Sequence, residues 1–127
     1  MTAAPKTILV VDDDHDIGEA VVDILAQEGH AVGWAKNGHE ALELLASATP
    51  PALILLDLMM PDLDGAAFRS LQLDRPEIAA IPVVVVSASS RIVEDAEALG
   101  AAAWLKKPFG VEDLLEVVRR YAGVPAL

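Results

Sequence analysis

Ile8-Leu-Val-Val-Asp-Asp-Asp14 is the stretch that decides how the chain is read. Four apolar residues in a row cannot alternate between a wet and a dry face. The segment therefore fits a strand buried on both sides, as in a parallel sheet. Three carboxylates follow without a spacer. Three further runs repeat the pattern: Leu53–Leu56 ends in Asp57, Ile81–Val86 in Ser87, and Ala101–Leu105 in Lys106 and Lys107. Parallel strands point one way, so the residues after each strand gather on one edge, where open α/β sheets hold ligands. Side chains scattered along the chain are thereby predicted to meet.

Helical patterns fill the gaps. Ile17, Val21, Ile24 and Leu25 mark one face of a first helix over Asp16–Glu28, with Gly29 as its stop. A short second strand is expected at Ala31–Ala35. Asn37 caps a second helix, with Glu40 three residues on, and Ala41, Leu44 and Leu45 are expected to face inward until Pro50 and Pro51. The loop Leu58–Asp64 leads to a third helix that uses Phe68 and Leu71. Pro82 opens the fourth strand, where a missing N–H does least harm. A fourth helix over Ser90–Leu99 shows Ile92, Ala96 and Leu99, and a fifth over Val111–Tyr121 shows Val111, Leu114, Leu115 and Val118. Five strands alternating with five helices, each crossover right-handed, give a (βα)₅ doubly wound three-layer sandwich.

With 127 residues the natural count is one domain, placed at 5–123, with no second domain in the short tail Gly123–Leu127. A content of 54% hydrophobic residues excludes disorder as a description of the whole. No apolar run is long enough to span a membrane, and Met1–Thr7 lacks the features of a secretory signal. A cytoplasmic setting fits. Without cysteine the chain has no disulfide, thiolate metal site or thiol nucleophile. The net charge of −11 argues against direct nucleic-acid binding, since phosphate contacts need a basic face.

The motifs Ile8–Asp14, Leu55-Leu-Asp-Leu-Met-Met-Pro-Asp-Leu-Asp-Gly65, Val83–Ser87 with Ala88, and Lys107-Pro-Phe109 resemble the receiver domain of two-component response regulators. They stand in the family's order and spacing across nearly the whole chain. The resemblance implies the flavodoxin-like sheet order 2-1-3-4-5. It also implies that Asp57 is the phosphoryl acceptor, a carboxylate nucleophile toward phosphorus. Mg²⁺ (or Mn²⁺) would be held directly by Asp13, Asp57 and the backbone carbonyl of Met59, and by Asp12 through water. Lys107, the lysine directly before proline, would pair with the acceptor carboxylate, aimed inward by a cis Lys107–Pro108 bond. Lys106 would face solvent. The hydroxyl of Ser87 would meet the phosphoryl group and act with Trp104 as a switch, although Trp104 also reads as a side chain covering the sheet edge.

Asp14 fits a cap of the first helix and Asp64 a cap of the third, while Trp34 reads as packing and His15, His30 and His39 as solvated. The function implied by the resemblance is a phosphorylation-activated switch. Its donor would be a sensor histidine kinase or a histidine phosphotransfer protein. Its output, to a downstream protein or a second copy, would pass through the fourth helix, fifth strand and fifth helix. The domain would not be an enzyme beyond assisting its own phosphorylation and dephosphorylation. Two other readings use the same residues: a degenerate receiver that binds partners without phosphorylation, and an aspartate-nucleophile phosphatase of the haloacid dehalogenase type. The second finds its two-residue spacing in Asp12 and Asp14 but lacks the motif threonine and the chain length. A flavin carrier would need a phosphate-binding loop after the first strand, where this chain is triply acidic.

Overall fold

The computed structural model describes residues 7–47, 49–61 and 63–123. The expected domain start at Pro5, the N-terminal stretch before Thr7 and the tail beyond Gly123 lie outside the described residues. In chain order the elements are β1 (Thr7–Val11), α1 (His15–Gln27), β2 (Ala31–Ala35), α2 (Gly38–Ser47) and β3 (Leu53–Asp57). There follow α3 (Gly65–Leu73), β4 (Val83–Ser87), α4 (Ile92–Ala98), β5 (Ala103–Lys106) and α5 (Val111–Ala122). All neighbouring strands pair in parallel, in the order β2-β1-β3-β4-β5. This is the doubly wound arrangement expected.

The period of two along each strand divides the core into two layers. Leu9 and Val11 of β1, Ile54 and Leu56 of β3, and Val83 and Val85 of β4 pack under α2, α3 and α4. The intervening Ile8, Val10, Leu53, Leu55, Val84 and Val86 pack under α1 and α5. Burying such a side chain contributes roughly 1.5–3 kcal/mol. That explains why the buried stretches Ile8–Val11, Leu53–Leu56 and Val83–Val86 carry no polar residue.

Caps and stops fall where side-chain chemistry requires them. Asp14 accepts the Ile17 N–H at the start of α1, Asn37 that of Glu40 at α2, and Asp64 that of Ala67 at α3. Some expected faces do not hold. Leu44, Leu71 and Val111 are exposed; Ala41 and Leu45 do face inward in α2, joined by Leu42, while Phe68, Arg69 and Gln72 are buried in α3 and Leu114, Leu115, Val117 and Val118 in α5. Helix α4 is shorter than expected, with Leu99 as its C-cap, and β4 begins only at Val83. His30 is buried rather than solvated, because the turn after α1 folds it back; its N–H donates to Leu25 O at 3.1 Å. Burial lowers its pKa, Glu28 opposing and Arg119 reinforcing.

Polar residues also enter the α3 layer. The buried Arg69 donates from Nε to Leu99 O and from Nη2 to Gly100 O, both at 3.0 Å, and from Nη1 to Gln72 Oε1 at 2.8 Å. Gln72 Nε2 donates to Ile78 O and Ile81 O, which fixes the chain entering β4. A cation on the last carbonyls of a helix is favoured by the helix dipole, and here it ties the end of α4 to α3.

Candidate functional site

The C-terminal edge of the sheet brings the candidate residues together. Val11 pairs with Leu56, so Asp12 and Asp57 leave adjacent strands at the same height. Asp57 pairs with Val86, which places Ser87 beside it, and Ser87 pairs with Lys106. The Lys107 N–H donates to Ser87 O at 2.9 Å, and the Lys107–Pro108 bond is cis. Lys106 is exposed.

Asp12, Asp57 and Ser87 are buried, whereas Asp13 is exposed at the rim. Lys107 Nζ stands 3.0 Å from Asp12 Oδ2 and 3.5 Å from Asp57 Oδ2, so the lysine bridges both carboxylates and lies nearer to Asp12. The other oxygens also have partners. Asp12 Oδ1 accepts the Asp14 N–H at 2.8 Å, and Asp57 Oδ1 accepts the Met59 N–H at 3.1 Å. Ser87 Oγ accepts the Ser89 N–H at 3.1 Å. The turn after Asp57 demands glycine at 65. A Cβ there would fall 2.8 Å from Leu58 Cα and 2.9 Å from the carbonyl oxygen of Asp57.

Crowding sets the electrostatics. Burial is the main reason that the Asp57 carboxyl is pushed up to about 6; the charge of Asp12 adds to it, while the Met59 N–H and Lys107 oppose it. For Lys107, burial alone would lower the pKa, but the contact with Asp12 and the charges of both carboxylates prevail and raise it.

Among the described residues, Asp12, Asp13 and Asp57 each offer an oxygen within 4.8 Å of the others. Three hard oxygen donors around one point, with one lysine nearby, suit a divalent cation of the Mg²⁺ or Mn²⁺ kind. Asp14 stands apart from this group, since its carboxylate caps α1. That removes the two-residue pair on which the phosphatase reading drew.

Trp104 lies on β5 opposite Val85 and is 45% exposed. It lines an open groove of about 730 Å³ between α4, β5 and α5, together with Val93, Lys106, Phe109, Val117 and Tyr121. The Tyr121 hydroxyl closes one end by donating to Ala102 O at 2.8 Å. Sequence reading missed the part played by Trp34, whose indole Nε1 donates to the backbone carbonyl of Asp12 at 3.0 Å. No linear signal marks a side-chain bond to a backbone twenty-two residues away.

A parallel sheet in this order, carrying an acidic triad, a hydroxyl and a lysine on one edge, defines a CheY-like receiver. Residues 8–119 match the response regulator receiver domain, and the chain belongs to that family of two-component signalling. It is 40% identical to the response regulator MprA of Mycolicibacterium vanbaalenii over 118 residues, 91% of this chain and 49% of that protein. The chain thus spans about half the length of the curated relatives it matches. Among solved structures, it resembles the chemotaxis protein CheY4 of Vibrio cholerae with a TM-score of 0.85 and 30% identity, covering 93% of this chain and 99% of that one. The receiver domain of NtrX from Brucella abortus matches with a TM-score of 0.80 and 34% identity, over 91% and 97% of the two chains. No helix among the described residues is long and apolar enough to cross a membrane.

Proposed function

We propose that the domain, spanning residues 5–123, is a switch that accepts a phosphoryl group on Asp57 from a phosphohistidine of a sensor kinase or phosphotransfer protein. One observation carries this reading: the buried Asp57 carboxylate shares a point in space with Asp12 and Asp13 and lies 3.5 Å from the Lys107 ammonium. An Asp57 carboxylate oxygen attacks phosphorus. The P–O bond forms as the P–N bond to the donor imidazole breaks, and the electron pair leaves with the ring nitrogen. A transferred phosphoryl group brings negative charge into a site that already holds three carboxylates. Lys107 compensates it, and the Ser87 hydroxyl proton, free because Oγ accepts from Ser89, is available to a phosphoryl oxygen.

The clustered carboxylates of Asp12, Asp13 and Asp57 suit Mg²⁺ or Mn²⁺; Asp13 and Asp57 would hold it directly and Asp12 through water, with the Met59 carbonyl as a further oxygen donor. When bound, it supplies charge neutralisation at the acceptor. The chain would act in the cytoplasm, where kinase partners of this class deliver phosphate. Ser87 and Lys107 lie at the ends of β4 and β5, which flank the α4-β5-α5 groove. A group drawn toward Asp57 therefore pulls on the strands under that surface, and Trp104 within it is placed to report or propagate the change to a target protein or a second copy.

Treating wild type and Asp57→Asn with acetyl phosphate and Mg²⁺, and weighing both intact, tests the assignment. Incorporation in wild type alone is the expected result. Equal incorporation in both would remove Asp57 as the acceptor, and none in either would favour the degenerate receiver.

A further inference from the structure

Trp34 stands on β2, at the edge of the sheet, and its ring reaches across β1 to the acidic turn. Asp12 is gripped by β2 on both sides: its N–H donates to Ala35 O at 3.1 Å, and its carbonyl accepts the Trp34 indole N–H at 3.0 Å. The side chain of Asp12 is also held, by Asp14 and Lys107. Asp13 differs. Among the described residues, no side-chain hydrogen bond or ion pair anchors its exposed carboxylate. The backbone on either side of it is held, the Asp12 carbonyl by Trp34 and the Asp14 carboxylate by the Ile17 N–H.

The ring packs closely against α1 at Gly18 and has two exposed side chains beside it. A Cβ at Gly18 would fall 2.3 Å from Trp34 Cζ2, so only glycine lets α1 lie this close to the indole. The His15 ring meets it edge-on at 5.3 Å, and Lys36 Nζ lies 5.5 Å from its centre. Its close seat on Gly18 and its bond to the Asp12 carbonyl give the indole a defined place. A donor held against a carbonyl constrains the rotation of the next peptide unit.

We propose that Trp34 is a positioning residue for the cation site: by bonding the Asp12 carbonyl it orients the Asp12–Asp13 peptide and so aims the Asp13 carboxylate. The inference rests on the reading of Asp12, Asp13 and Asp57 as a divalent-cation site. It assigns to a β2 aromatic a role that packing alone does not require. Phenylalanine at 34 would keep an aromatic ring on β2 and remove the donor, together with the indole atoms Cε2, Cζ2 and Nε1 that lie over Gly18; the Asp13→Asn background separates the loss of aim from the loss of that contact.

Mn²⁺ binding to wild type, Trp34→Phe, Asp13→Asn and the double variant, followed by electron paramagnetic resonance at a temperature where circular dichroism shows each folded, tests this. Trp34→Phe should bind Mn²⁺ about tenfold more weakly, as removal of a group supporting a ligand does. Leu25→Val, which loosens the buried end of α1 away from the site, should bind as wild type. In the Asp13→Asn background the Trp34→Phe effect should vanish, because the residue it aims is gone. Trp34→Phe binding as tightly as wild type, or losing equally with and without Asp13, overturns the inference while leaving the cation site intact. Wild type that binds no Mn²⁺ overturns both. Should Trp34→Phe not fold, the indole Nε1–H resonance of wild type decides under Mg²⁺ titration. It should shift with the affinity of the site, and a resonance that stays fixed at saturation overturns the proposal.

Discussion

The Lys107 ammonium lies nearer to Asp12 than to Asp57, at 3.0 against 3.5 Å, so in this state it serves as a clamp across two carboxylates. A cation so placed holds down the pKa of Asp57, which burial and Asp12 push up. It also leaves the lysine only a short distance to travel toward an incoming anion.

Lys107→Met keeps the aliphatic stem and removes the charge. The Asp57 carboxyl should then titrate above its present value of about 6, because a charge that lowers its pKa has gone. Following the ¹³Cγ shift of Asp57 against pH in metal-free buffer measures this directly. An unchanged midpoint would show that Asp57 does not feel the lysine.

Asp57→Asn should stabilise the metal-free domain at neutral pH. The carboxyl ionises at 3.8 when unfolded and at about 6 when folded, so the folded state holds its proton longer. The contribution of Asp57 to stability is fully present below pH 3.8 and is lost as pH rises through about 6. The difference in unfolding free energy between variant and wild type should therefore grow between those two values and level off above them. Its size should be on the order of 1–2 kcal/mol, discounted for the lost contact with Lys107. Urea unfolding at pH 4 and pH 7.5 compares them; a gap that narrows with rising pH would contradict the assignment.

Much of this architecture was legible because four of the five strands are short, mainly apolar and closed by a reactive side chain. Ile8–Asp14 and Leu53–Asp57 carry their own orientation, since the polar end can only be the open edge. Helix faces were harder. In α2 and α3, of ten and nine residues, spacings of three and four both fit, so Leu44 and Leu71 were assigned inward while Leu42, Arg69 and Gln72 fill those places. Arg69 and Gln72 look like surface residues in one dimension. Only the structure shows that backbone carbonyls of Leu99, Gly100, Ile78 and Ile81 wait for them. His30 and Trp34 were misjudged for a related reason: their surroundings are supplied by turns and by a neighbouring strand, which a local pattern does not encode.

Arg69→Leu should destabilise the fold by roughly 2–4 kcal/mol, since it leaves Leu99 O, Gly100 O and Gln72 Oε1 without their donor. Arg69→Lys should rescue it poorly, because one ammonium cannot reach three acceptors with the geometry of a guanidinium. Amide exchange at the end of α4 and across Gly100–Ala102 should accelerate more than exchange in α1. A loss below about 0.5 kcal/mol would show the network to be incidental.

Met59 governs the last prediction, the lifetime of the phosphorylated state. Its N–H is committed to Asp57 Oδ1, while its side chain is 73% exposed beside a carboxylate that is only 4% exposed. Hydrolysis of an aspartyl phosphate needs a water placed in line with the P–O bond, and a group that orients such a water lowers the barrier. A thioether offers almost no hydrogen bond for that purpose. The phosphorylated domain should therefore be long-lived, and Met59→Asn, which supplies an amide at the same exposed position, should shorten the lifetime several-fold. Loss of the phosphorylated mass after removal of acetyl phosphate gives both rates under identical Mg²⁺. Since the backbone contact to Asp57 survives the exchange, loading should be little altered. A Met59→Asn variant that hydrolyses no faster would show that access of water is controlled elsewhere on the site's rim, with Ser89 in the β4–α4 loop the next side chain to change.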